Sequence, residues 1–433
     1  MKRKLLNKLL QWKESKNRMP LLLNGARQVG KTYLLKEFGE TYYDNMVYVN
    51  METNLLVSSY FDQNIDCKRI VEFLETTIAE RIVPGKTLIV FDEIQACERA
   101  LLSLKTFCEE APEYHIVAAG SLLGVALHHE HYSFPVGKVD ELTLYPLDFE
   151  EFLEANGKDR LASLIRVHYA EDNPLPDALH VEALELYRKY LIVGGMPSAV
   201  KEYVESGSLI GIPDIQRRIV NEYIVDMAKY AVPSTTVKIR SCYLSIPSQL
   251  AKDNRKFQYK VVQKGGSASL FGEAIDWLHF AGIVLKCQKT NHGIIPLAVQ
   301  VELSDFKLYM GDVGILSMLS GMPSGIVLSA ANEDNTFMGA LTENYVAQCL
   351  VAKNIPLYYW RSDNTAEVDF IWQNDMQIVP IEVKSGIRTR SKSLNLFMGY
   401  YGCKLAYRIS QKNFGLSNGV KSVPLYAVFC IGD

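Results

Sequence analysis

Leu5, Leu6, Leu9, Leu10 and Trp12 recur at helical spacing, so the chain opens with an amphipathic helix whose other face is basic. The run Pro20-Leu21-Leu22-Leu23-Asn24 reads as a buried strand feeding a glycine turn. Further strands are expected over Asn45–Asn50, Thr87–Phe91 and Tyr114–Ala119, with helix over the region from Lys68 to Ile82. Apolar strands alternating with helical stretches predict a parallel sheet covered on both faces, hence an α/β fold. From Leu147 to about Lys229 the pattern is helical, broken once at Gly194-Gly195-Met196-Pro197.

Ser245-Ile246-Pro247-Ser248-Gln249-Leu250-Ala251 predicts a short helix with Ser245 as N-cap and Pro247 in its first turn. A helix from about Ser267 to Phe280, the turn Ala281-Gly282 and two strands, Ile283–Cys287 and Ile294–Val299, follow. Helix, helix, hairpin is the order of a winged helix, although Glu273 and Asp276 on its second helix disfavour contact with DNA. From about Gly339 the chain returns to a helix and then strands. The expected division is therefore 1–230 for the first α/β domain with a helical extension, 231–305 for a winged-helix-like module and 306–433 for a C-terminal α/β domain. The Gly/Ser/Pro-rich piece Ser317–Ser329 lies at the second edge.

Composition narrows the class. With 433 residues, 48% hydrophobic and 22% charged, the chain is long enough for several folded domains, and disordered, collagenous and coiled-coil classes are excluded. The longest uncharged apolar stretch, Ile116 to Leu127, is well short of the ~20 residues of a spanning helix. Lys8 interrupts the apolar pairs of the basic N-terminus, so that segment does not read as a secretory signal. Eight scattered cysteines without a Cys-x-x-Cys pair suit reduced thiols, and a cytoplasmic, non-membrane protein is expected. The formal net charge of −3 conceals basic blocks. Residues 1–20 hold seven basic side chains against Glu14, and residues 237–270 hold seven against Asp253. Residues 384–432 hold eight (Lys384, Arg388, Arg390, Lys392, Lys404, Arg408, Lys412, Lys421) and no acid. Such blocks fit either local phosphate-binding surfaces or solvated faces.

Gly25-Ala26-Arg27-Gln28-Val29-Gly30-Lys31-Thr32 is a complete Gly-x-x-x-x-Gly-Lys-Thr loop between a buried strand and a helical stretch. Glycines at both ends let the backbone wrap a phosphate, so that amide N–H groups and the helix N-terminus point at it. Lys31 adds charge near the β- and γ-phosphates, and the Thr32 hydroxyl is a Mg²⁺ ligand. The strand Thr87–Phe91 ends in Asp92-Glu93: Asp92 is expected in the Mg²⁺ shell and Glu93 to orient the attacking water. A third strand delivers Gly120-Ser121, where Ser121 is placed to sense the γ-phosphate. ATP and Mg²⁺ are the cofactors implied, with hydrolysis the natural outcome.

A second constellation lies near the C-terminus. Asp369, on the strand Glu367–Trp372, precedes Glu382 by thirteen positions, the separation of two strands of one hairpin. Side chains alternate along a strand, so Glu382 and Lys384 share a face. Two carboxylates and a lysine are the minimum for metal-assisted phosphodiester cleavage: Asp369 and Glu382 as Mg²⁺ or Mn²⁺ ligands, Lys384 against the developing charge, Glu343 completing the shell. An exposed hairpin with scattered charges would carry the same residues. An acid between Ile381 and Val383, however, is costly without a purpose.

The ordered set of Asn24–Thr32, Phe91-Asp92-Glu93-Ile94-Gln95, Gly120-Ser121 and Leu144–Phe152 resembles a widespread bacterial and archaeal family. Its members join an AAA-type P-loop ATPase domain to a C-terminal domain of undetermined function. Gly194-Gly195-Met196-Pro197, Lys307-Leu308-Tyr309, Gly339–Asn344 and Glu382-Val383-Lys384 carry the resemblance onward. It implies a restriction-endonuclease-like tail, with Glu343, Asp369, Glu382 and Lys384 at the characteristic positions. Relatives carry Gly-Arg where this chain has Gly137-Lys138, and lysine lacks the forked donors of an arginine finger. Two readings stand. One is an ATPase coupled to a metal-dependent DNA-processing nuclease. The other is a nucleotide-dependent switch whose tail binds DNA or a protein partner without cutting. DNA is expected before RNA, and the resemblance implies a homo-oligomer as an expectation, since AAA-type domains usually complete their sites across subunits.

Overall fold

The computed structural model describes residues 1–121, 123–127, 137–329, 336–362, 366–387 and 392–432. The chain forms two compact units: Lys2–Tyr145 with Phe280–Gly282, and Pro146–His279 with Ile283–Asp433 and Met1.

The first unit is built on five strands: β1 (Leu21–Asn24), β2 (Asn45–Asn50), β3 (Thr87–Asp92), β4 (His115–Ala119) and β5 (Asp140–Thr143). They lie in the order β2-β3-β4-β1-β5, every neighbouring pair parallel. β3 and β4 are buried at every position, as strands covered on both faces must be. One core cluster runs from Val47 and Val49 through Ile89 and Phe91 to Leu101, Leu104 and Phe107. The charges of the basic N-terminus are partly structural. Arg3 donates to the Val29 and Tyr145 carbonyls, Lys13 to that of Tyr42 and Arg18 to that of Pro112.

The second unit begins with helices, among them Phe149–Ala155, Asp177–Val193, Pro197–Ser206 and Ile212–Tyr230. An eight-stranded sheet follows: β6 (Val284–Thr290), β7 (Val301–Met310), β8 (Tyr358–Arg361), β9 (Glu367–Asn374), β10 (Gln377–Val383), β11 (Ala406–Ser410), β12 (Gly415–Ser417) and β13 (Val420–Pro424). Its order is β12-β13-β11-β10-β9-β8-β6-β7. The edges are thus the three-residue β12 and the ten-residue β7, the latter kinked against β6 by a bulge at Gln288/Lys289. The helices Thr336–Ala352 and Lys392–Tyr401 complete a helix-strand-strand-strand-helix-strand succession, in which β10 and β11 run parallel.

Three expectations are revised. The helix containing Ser245 starts at Pro233 and runs to Leu250, and Ser245 donates to the Cys242 carbonyl instead of capping an N-terminus. Pro233 opens that helix where an N–H is not needed, and Pro247 falls in its final turn. The segment Ile294–Val299 is not a strand: Pro296 leads into a 3₁₀ turn over Leu297–Gln300, and pairing with β6 starts at Val301. Finally, β6 pairs with β8, so the hairpin is part of the eight-stranded sheet, and the expected edge at 305 falls inside β7.

Candidate functional site

In the first unit, the ends of β1, β3 and β4 bring the nucleotide motifs together on adjacent strands, at their C-terminal tips, where open parallel sheets hold ligands. Gly25 has φ +142°, and a Cβ there would lie 2.3 Å from the Leu144 carbonyl oxygen, so the turn requires glycine. Gly30, at φ +95°, ends the loop and leads into the helix Lys31–Tyr42. Arg27 and Gln28 are exposed at the loop's crest, while Ala26 and Val29 are buried beneath it. Lys31 Nζ donates to the Gly25 and Ala26 carbonyls at 2.7 and 2.9 Å, spanning the loop from inside. Arg3 Nη1, bonded to the Val29 carbonyl at 2.8 Å, holds the loop from the N-terminal segment.

Asp92 is buried, and its Oδ2 accepts from Thr32 Oγ1 at 2.7 Å and from the Tyr48 hydroxyl at 2.6 Å. The two groups expected around Mg²⁺ are therefore already in contact, and a hydroxyl beside a carboxylate suits that ion. Burial, then the bond to Asp92, push the Tyr48 hydroxyl pKa up, so it stays a donor. Glu93 has φ +51°, and its Oε2 accepts from Gln95 Nε2 at 2.6 Å and Ser121 Oγ at 3.4 Å. Gln95 is buried over Gly120, and a Cβ at that glycine would lie 2.3 Å from Gln95 Oε1, so a larger residue there would have to move the Gln95 amide. Lys138 pairs with Glu109 at 3.0 Å.

The C-terminal residues converge in the second unit. Asp369 Oδ2 accepts the Val383 N–H at 2.8 Å, holding its carboxylate at the end of the β9–β10 ladder. Lys384 Nζ lies 2.5 Å from Glu382 Oε1, and Glu382 is buried. Burial works against the charge on Lys384, but Asp369 and Glu382 prevail and raise its pKa. Asp369 and Glu382 fit a hard divalent cation, which can be held by one or two carboxylates with water. Glu343 departs from the expected arrangement. Fully buried on the helix Thr336–Ala352, its Oε1 accepts from Lys307 Nζ at 3.0 Å and from the Tyr309 hydroxyl, and Arg255 pairs with its Oε2. Lys307 also reaches Glu367 Oε1 at 2.7 Å. Among the described residues no group of three His, Cys, Asp or Glu side chains is arranged to hold a metal ion. Arg388 and Arg390 lie outside the described residues.

Tyr48, Gln95, Arg3, Lys307 and Arg255 are the residues whose roles the sequence alone did not assign. Only Gln95 and the Lys307-Leu308-Tyr309 run carried a signal, as members of recurring motifs.

Residues 17–153 match a family model described as AAA domain. Residues 184–325 and 338–428 match two described as domains of unknown function (DUF8612 and DUF4143). No curated protein matches the chain. Among solved structures, it is similar to the Walker-type ATPase PABY2304 of Pyrococcus abyssi at 14% identity and a TM-score of 0.45, over 73% of this chain and 95% of that one. It is also similar to the Aeropyrum pernix ORC1 protein in complex with DNA, at 14% identity, TM-score 0.28, and 76% and 93% coverage. AMPPCP-bound DnaA from Aquifex aeolicus follows at 14% identity, TM-score 0.29, and 64% and 89% coverage. No helix among the described residues is long and apolar enough to cross a membrane. Residues 17–153, which hold the loop, Asp92 and Glu93, thus match an AAA-domain family, and the segments after them match families of unknown function.

Proposed function

We propose that this chain hydrolyses ATP with Mg²⁺ and couples that cycle to a C-terminal restriction-endonuclease-like domain acting on DNA. The observation that carries the ATPase half is the shared contact of Thr32 and Asp92 beneath a loop spanned by Lys31. Lys31 would leave the Gly25 and Ala26 carbonyls for the β- and γ-phosphates, while the loop amides and the following helix N-terminus hold the rest of the chain of phosphates. Thr32 and Asp92 would hold Mg²⁺, which would supply neutralisation of phosphate charge. Glu93 orients water from a backbone conformation fixed at the strand tip, and Gln95 and Ser121 keep its carboxylate in place. Lys31→Ala should abolish tight ATP binding in an equilibrium titration, whereas Glu93→Gln should keep binding and slow turnover by about 10²-fold or more. Unchanged ATP affinity in Lys31→Ala would overturn the assignment.

For the tail, the helix-strand-strand-strand-helix-strand order and the meeting of Asp369, Glu382 and Lys384 support the nuclease-like reading. The second reading, a switch that binds DNA or a partner without cutting, is favoured by the engagement of Glu343 with Arg255 and Lys307. Incubating single- and double-stranded DNA with Mg²⁺ or Mn²⁺, with and without ATP, separates them. Cleavage lost in Lys384→Ala supports the first reading, and intact DNA throughout supports the second. We also place the protein in the cytoplasm, assembling with copies of itself.

A further inference from the structure

The turn Phe280–Gly282 belongs to the same compact unit as the phosphate loop, although the chain on either side of it belongs to the other unit. It joins the helix Ala268–Phe280 to β6 and is buried at Ala281. Gly282, at φ +71°, approaches the loop: a Cβ there would stand 3.5 Å from the Ala26 amide nitrogen. Phe280 approaches a second segment, because a Cβ at Gly124 would lie 2.3 Å from the Phe280 carbonyl oxygen. Gly124 lies in the short helix Leu123–Leu127, three positions after Ser121. A turn from a distant stretch of chain therefore stands against both the phosphate loop and the segment that carries Ser121.

The flanks of this turn are stiff. The Ile283 N–H donates to the Leu278 carbonyl at 3.3 Å, and the Gly311 N–H to the Ile283 carbonyl at 3.0 Å. Gly311 adjoins Asp312, whose carboxylate accepts the Gly195 N–H. Close-packed backbone of this kind has little compressibility, so a displacement of the turn passes into the helix before it and the strand after it.

One of the two approaches is to a peptide that nucleotide would rearrange. Lys31 Nζ bonds to the Gly25 and Ala26 carbonyls, and Gly282 is fitted to the loop that Lys31 spans in this way. A triphosphate draws Lys31 to itself, those carbonyls lose their donor, and the peptides around Ala26 must find a new arrangement. We propose that the turn Phe280–Gly282 is a positioning element of the ATP site that reports its occupancy: bound triphosphate loosens the turn and, through it, the C-terminal end of the helix Ala268–Phe280. This rests on the reading of residues 25–32 as the ATP site. Coupling is reciprocal, so a turn already loosened binds ATP more tightly, by the factor by which ATP loosens it.

The test is hydrogen exchange of the full chain, resolved by peptide mass spectrometry, with and without Mg²⁺ and the non-hydrolysable analogue AMPPNP. The analogue should protect peptides over residues 25–32 and raise exchange over residues 276–283 by about fivefold or more. Gly124→Ala crowds the Phe280 carbonyl, so it should raise exchange over 276–283 without nucleotide and tighten analogue binding by a similar factor in an equilibrium titration. Gly282→Ala places a Cβ on a left-handed backbone and should act in the same direction. It also serves if Gly124→Ala folds poorly, which circular dichroism reports. Protection of 25–32 with unchanged or lowered exchange over 276–283 would overturn the coupling alone, as would a loosened variant that binds the analogue no more tightly than the wild type. Absence of protection at 25–32 with millimolar analogue would overturn the ATP site and the coupling together.

Discussion

The hydroxyls of Thr32 and Tyr48 converge on a single oxygen, Asp92 Oδ2. When Thr32 turns to a metal ion, Tyr48 remains to fix the carboxylate. Tyr48→Phe should therefore raise the Mg²⁺ concentration for half-maximal ATP hydrolysis by roughly 10–100-fold, as loss of a hydrogen bond to a charged acceptor implies. ATP affinity measured without Mg²⁺ should hardly change, and titrating Mg²⁺ against steady-state turnover checks both. The phosphate loop was legible because its chemistry is confined to eight consecutive residues, each constrained by the phosphate it wraps. Tyr48 was not, since on β2 it alternates with Val47 and Val49 like any strand residue, and its partner lies 44 positions away. Arg3 was read as part of a basic face because nothing local distinguishes it from Lys2 or Lys4. The C-terminal hairpin was legible in register but not in company, as the cations that engage Glu343 come from two other segments.

At the level of elements, the Gly194-Gly195-Met196-Pro197 break is a junction between distant segments. The Leu147 N–H donates to the Gly195 carbonyl at 2.7 Å, and the Gly195 N–H to Asp312 Oδ2 at 2.6 Å. A Cβ at position 195 would lie 2.0 Å from the Leu147 carbonyl oxygen, a backbone atom that cannot swing aside. Gly195→Ala should cost about 3 kcal/mol, and thermal unfolding of the variant should show a melting temperature lower by several degrees. The glycines announced a break in the sequence, while the reason for it lay in other segments, at Leu147 and Asp312. Strands with apolar runs were likewise legible, β2 to the residue. β5 was missed, because Asp140-Glu141-Leu142-Thr143 is a polar strand that, among the described residues, pairs only with β1. β7 was mislocated, because its outer half, Val301–Asp305, is polar and partly exposed, whereas the apolar Ile294–Val299 looks more strand-like than it is.

For the whole molecule, the two units should respond oppositely to acid. In the first, burial, reinforced by Arg18 and Lys13, lowers the pKa of His115 to about 4. The unfolded chain takes up that proton near pH 6.5 and the folded unit does not, so stability is present above this range and is lost as pH falls toward 4. In the second, burial raises Asp312 to about 6 against three backbone hydrogen bonds. Here the folded unit keeps a proton that the unfolded chain releases near 3.8, so this contribution is present at low pH and is lost as pH rises toward 6. Hydrogen exchange resolved by peptide mass spectrometry and corrected for intrinsic rates should show the contrast between pH 7 and 4.5. His115→Gln should flatten the first unit's acid loss, and Asp312→Asn the second unit's gain. The shape of β7 bears on how such a molecule behaves in crowded solution. An outermost strand ten residues long is a template on which another chain can lay a strand of its own. Glu302 and Asp305 are paired with Lys289 and Lys256 on this rim, the bulge bends it, and the Phe257 N–H already occupies the Phe306 carbonyl. A growing fibril would have to desolvate those charges and displace that bond, so the strand that carries Lys307 on its inner half resists fibrillar growth along its outer one.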